Sequence, residues 1–110
     1  MGNQFEAAFA LMRKHDPQLQ EEGFGRLRDM GAVVLPDLVA AYDAESDHGI
    51  KCWLLELIGD AQAESALALL VHELDNGDES LRGWARRGLQ RLDTKDARTA
   101  LWRDEQNRTG

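Results

Sequence analysis

Three aspartates, Asp16, Asp47 and Asp78, stand 31 residues apart, and the apolar residues around them keep the same step. Leu19, Ile50 and Leu81 repeat it, as do Leu27, Ile58 and Leu89; upstream, Ala7, Leu38 and Leu69 hold the interval, and so do Ala8, Val39 and Leu70. A fixed period of this length marks a chain built by stacking one supersecondary unit, because a single unit cannot bury its own apolar face. The period therefore constrains the fold more than any composition figure does.

Each copy has a local reading. The aspartates of "DPQL", "DHGI" and "DESL" suit helix N-caps, where a carboxylate accepts from free backbone N–H groups, and Pro17 fits a first helical position because its missing donor costs nothing there. In the second copy Ile50, Trp53, Leu54, Leu57 and Ile58 follow helical spacing; in the third Leu81, Trp84, Ala85, Leu89 and Leu92 do. Trp53 and Trp84 are thus expected on the buried stripe. Helical runs also occupy 4–14, 34–44, 63–75 and 95–106, with Gly31 and Asn76-Gly77 as stops that tolerate the left-handed conformation. Seven helices in antiparallel pairs result. "GAVVL" is too short for a convincing strand.

The chain has 110 residues, 43% hydrophobic and 30% charged, which is enough for one packed domain and not for two. Repeats are expected near 4–30, 33–59 and 62–92, with a capping helix over 95–106, a domain ending at 104, and a disordered tail over 105–110. The lone Cys52 rules out an internal disulfide framework and suggests a reduced, cytoplasmic setting. No stretch approaches the roughly 18 consecutive apolar residues of a membrane span, and "MGNQFEAAF" has no signal-peptide pattern.

The chain resembles the HEAT-like repeats, particularly the short bacterial type of phycobilisome lyases and helical scaffolds. Residues 54–102 carry the likeness: a Gly-Asp junction in "LIGDAQAESALALL", a first helix with a small-small-Leu run, a turn with Asp, and a second helix in "DESLRGWARRGLQRLD". The match is weaker over 1–45, where Glu22, Gly23 and Arg26 sit at positions that are apolar or small later. The resemblance implies an all-α fold, a short right-handed α-solenoid of about three antiparallel helix pairs plus a C-terminal capping helix, whose second helices line a concave face.

Outward positions of the second helices repeat as well. Gln20, Lys51 and Arg82 form one row and Phe24, Leu55 and Arg86 another, which together suit a partner-binding face with Phe24 and Leu55 as apolar anchors. The competing reading packs Phe24 and Leu55 between neighbouring helices. Arg87 and Arg91 are expected to serve the helix itself, as cations near its C-terminal dipole. Trp102 is expected to cover the open end of the stack or to anchor a partner.

Charge is uneven. Residues 1–31 carry five acids and four bases (−1), residues 32–80 eleven acids and one base (−10), and residues 81–110 four acids and eight bases (+4), for a net of −7. An acidic middle with no catalytic motif points to a non-enzymatic protein-binding module. A compact acidic chain of this kind also resembles the immunity or inhibitor proteins that neutralise basic bacterial toxins, and that resemblance implies contacts through Asp43, Glu45, Glu56, Glu73 and Asp75. An accessory subunit of a chromophore lyase is an alternative that the resemblance permits. A nucleic-acid module, as in the similar helical-repeat DNA glycosylases, must contend with the −10 segment beside its arginines. Self-association through an exposed end is compatible with all of these. His15, His48 and His72 fall in different phases of the repeat and do not form a recognisable ligand set; a single His72-Glu73 pair does not reproduce the several dyads of HEAT-like iron hydroxylases. No metal or cofactor is expected.

Overall fold

The computed structural model describes residues 3–109. They form seven α-helices, with no strand among the described residues: α1 (Asn3–Met12), α2 (Pro17–Met30), α3 (Leu35–Ala44), α4 (His48–Asp60), α5 (Leu67–Asn76), α6 (Glu79–Leu92) and α7 (Lys95–Thr109). α1 packs on α2, α3 on α4 and α5 on α6; α4 lies against α6, and α7 rests on both α5 and α6. The molecule measures 44 × 24 × 21 Å.

The three periodic aspartates start α2, α4 and α6. Asp16 accepts from the N–H groups of Gln18 and Leu19, Asp47 from Ile50 and Asp78 from Leu81, each satisfying donors that the first helical turn leaves free. Pro17 opens α2, as expected. Gly31 ends that helix with φ of 67°, a conformation costly for residues with a β-carbon.

Several local expectations need correction. "GAVV" (31–34) is no strand, as expected, but a 3-10 turn, and a second such turn over Glu64–Ala66 delays α5 to Leu67. Gly77 stops α5 with φ of −70°, so it is not left-handed; a β-carbon there would lie 2.7 Å from the Glu73 carbonyl oxygen. The left-handed stops that the sequence hid are Gln62 and Asp93, both at φ 51°. Asp93 ends α6, its N–H donating to the Leu89 carbonyl. α7 continues as helix through Thr109, across most of the stretch read as a tail; Gly110 lies outside the described residues.

One core runs through the stack, from Ala8 and Met12 of α1 through Leu38, Tyr42, Leu54, Ile58 and Leu70 to Leu89 and Ala97. Gly23, at the register of Leu54 and Ala85, is buried against α1: a β-carbon would meet the Ala8 carbonyl oxygen at 2.5 Å. Its smallness lets the two helices of the first pair touch, so its departure from the later apolar residues is a packing solution.

The buried side of α4 is rotated from the stripe centred on Ile50, Leu54 and Leu57. Leu54, Leu55, Leu57, Ile58 and Gly59 are buried, whereas Ile50 and Trp53 are only half-buried. A helix with neighbours on three sides buries more than one stripe, and the face left to water passes through Trp53, Glu56 and Asp60.

Candidate functional site

The half-exposed face of the second helices is a furrow along α4, flanked by α2 and α6. One depression, of about 360 Å³, is lined by Gln20, Glu21, Phe24, Arg28, Trp53 and Glu56. It shares Arg28 and Glu56 with a second depression that extends to Trp84, Arg87 and Arg91. A third, towards the start of α4, shares Gln20 and Trp53 and includes His15.

Aromatic rings form its walls. Phe24 meets Trp53 edge-on at 6.2 Å between centroids, and Arg28 lies over the Phe24 ring at 5.5 Å. Arg87 lies 5.0 Å from the Trp84 ring. Trp53 and Trp84 are therefore half-buried walls of the furrow, which corrects their placement on the buried stripe. Arg91 forms an ion pair with Asp60, Nε to Oδ1 3.2 Å, and so ties α6 to α4, a more specific task than balancing the helix dipole. Burial, and next the neighbouring Asp60, push the Glu56 carboxyl above its usual range; Arg87, Arg28 and Arg91 act in the opposite sense. On α4 and α6 the sequence signal for this face is the register 53/84, 56/87 and 60/91, whereas α2 contributes Gln20, Glu21, Phe24 and Arg28.

Those rows do not form one free surface. Leu55 is 0% exposed, so it belongs to the core and cannot anchor a partner on the surface of the folded chain. Arg86 reaches α7, where its guanidinium donates to Asp104 at 3.4 Å. Phe24 turns to α4. Position 24 thus faces the next helix pair and position 86 the capping helix, which is packing between units. In the other row, Lys51 places its ammonium 4.5 Å from the Tyr42 ring centroid, Arg82 is half-buried with its Nε unpartnered, and Gln20 borders the furrow.

The acidic residues divide into two places. Glu56 sits in the furrow. Asp43, Glu45, Glu73 and Asp75 occupy the ends of α3 and α5 beside the starts of α4 and α6. These two turns are stitched together by His48, whose Nε2 lies 2.6 Å from an Asp78 carboxylate oxygen. Asp43, Asp47, Asp75, Asp78 and Glu79 are exposed along this edge. Glu45 is nearly buried, accepting from the Arg13 guanidinium and, at 3.0 Å, from the Asp47 N–H; it holds the chain together more than it faces outward. Glu73 lies beside the buried Tyr42 hydroxyl, which meets no partner at hydrogen-bonding geometry; burial first, and that carboxylate next, push the phenol's ionisation up. The Leu81 N–H, and then His48, hold the Asp78 carboxyl below its ordinary range.

Cys52 lies one turn beyond His48, with Sγ 3.9 Å from Nδ1. Burial and the nearby Asp78 push its thiol up, so the protonated form is favoured. His72 meets Asn76. Among the described residues no group of three or more His, Cys, Asp or Glu side chains is placed to hold a metal ion, and no helix is long and apolar enough to cross a membrane. No protein-family model, no curated protein and no solved structure matches the chain.

Proposed function

We propose that this chain is a non-enzymatic protein-binding module of HEAT-like repeats: a short right-handed α-solenoid of three antiparallel helix pairs closed by α7. Its partner is a basic protein, and the reading that best joins size, charge and site is an immunity or inhibitor protein that neutralises a basic bacterial toxin in the cytoplasm. The observation that carries this reading is the acidic edge, where two adjacent turns joined by the His48–Asp78 contact expose Asp43, Asp47, Asp75, Asp78 and Glu79. Carboxylates from two turns held this close reinforce one another within a Debye length of about 8 Å and draw in a cationic surface. The furrow beside α4 supplies what charge alone does not, since aromatic side chains and arginines carry a disproportionate share of binding energy at protein interfaces.

Affinity capture with the wild-type chain and with the Asp43→Lys, Asp75→Lys double variant tests this reading. Both residues are exposed, so the fold is retained. The wild type retains a basic protein that elutes as salt rises, and the double variant does not. Equal retention by both, or an association rate indifferent to ionic strength, refutes the charge-steered reading.

A further inference from the structure

We propose that copies of this chain assemble head to tail, the α7 end of one docking on the α1–α2 end of the next, with Trp102 entering a depression between α1 and α2. This rests on the 31-residue register and on burial, not on the toxin-binding reading.

The depression measures about 460 Å³ and is lined by Gln4, Ala7, Arg26, Asp29 and Met30. One period on, Gln4, Ala7 and Arg26 correspond to Leu35, Leu38 and Leu57, all buried. Two periods on they correspond to Ala66, Leu69 and Gly88, of which Ala66 and Gly88 are buried and Leu69 half-buried. Gly88 shows which way this register points: it touches Gly59 of α4, in the preceding pair. In the second and third pairs, then, this face is covered by the pair before it. In the first pair Gln4, Ala7 and Arg26 are exposed, and among the described residues nothing lies over them.

The opposite end offers the complement. Ala97, Ala100 and Asp104 turn α7 onto the stack, while Trp102 on its outer side is 62% exposed, so it does not cover the end in the way the sequence suggested. Among the described residues Val33 is the other large apolar side chain left exposed. A buried indole removes about 150–250 Å² from water, which makes an open tryptophan facing an open apolar depression a natural pair. Arg103, next to Trp102, and Asp29, at the lip of the depression, are both exposed and enter none of the ion pairs formed among the described residues. Opposed across the contact, they set its orientation. A contact between two different surfaces is heterologous and leaves one of each kind free after every addition, so it extends into a row instead of closing as a dimer.

Sedimentation velocity over a range of concentrations reads this out. The wild type forms species larger than a dimer as concentration rises. Trp102→Ala and Ala7→Arg, both at exposed positions, each sediment as monomers alone, with melting temperatures that report an intact fold. Mixed in equal amounts they form a one-to-one complex and nothing larger, because each variant retains the end that the other has lost. A wild type that stays monomeric throughout overturns the proposal. So does association that survives either single variant; loss with Trp102→Ala but not with Ala7→Arg would indicate a symmetric α7-to-α7 contact instead.

Discussion

Gly59 and Gly88 meet backbone to backbone where α4 packs on α6: a β-carbon on Gly59 would lie 2.8 Å from the Gly88 α-carbon. Neither backbone can move aside as a flexible side chain would. Gly59→Ala is therefore expected to destabilise the fold by about 1–3 kcal/mol through overpacking. Gly83→Ala is the control. It lies in the same α6 with nothing within 4 Å of a β-carbon, so it is expected to stabilise by about 0.5–1 kcal/mol. Thermal or urea unfolding of the two variants should move in opposite directions.

Leu55 separates packing from recognition. Truncating this fully buried side chain to alanine removes contacts from the middle of the core and should cost about 2–5 kcal/mol of stability. Unchanged urea unfolding of Leu55→Ala would contradict its burial.

The caps can be tested one at a time. Asp47 accepts from the Ile50 N–H at 3.0 Å, so Asp47→Ala should destabilise by about 0.5–2 kcal/mol while Asp47→Asn, which keeps an accepting oxygen, loses much less. Chemical denaturation comparing the pair distinguishes loss of the cap from loss of charge.

Glu56 gives a pH dependence of defined sign. Its carboxyl is pushed above its ordinary value, so the folded state holds that proton more firmly than the unfolded chain does. Ionising it costs stability at neutral pH, and that cost disappears as pH falls through the raised folded value. Glu56→Gln should therefore melt higher than the wild type at pH 7, with the gap closing as acid protonates the native carboxyl. A gap that widens in acid would reverse the assignment.

The N-caps and the helix count were legible because they rest on local chemistry: Asp16, Asp47 and Asp78 need only a free helix start to explain them. The phase of α4 was not. Leu54, Leu55, Leu57 and Ile58 are apolar on more than one side of the helix, and a wheel drawn through them cannot say which side a third neighbour covers. Trp53 looked like core because it is large and periodic, yet Phe24 meets it only at the edge and leaves it half-open as a wall of the furrow. The Gly59–Gly88 contact was hidden for another reason: its members are 29 residues apart, out of step with the period, so no alignment of the copies places them together. The His48–Asp78 stitch likewise links side chains from different registers, and only the docking of α4 on α6 brings them within reach.

Asp104 is nearly buried and stands between two guanidiniums, with Arg86 of α6 and Arg108 of α7 each 3.4 Å from the same carboxylate oxygen. The other inward contacts of α7 come from Ala97, Ala100 and the half-buried Leu101. Detaching this last helix thus separates Arg86 from its carboxylate while exposing few large apolar side chains of α7 itself. Its backbone amides should trade protons for deuterons well ahead of those in the middle of the stack, which makes the C-terminal rod the hinge through which the molecule first opens.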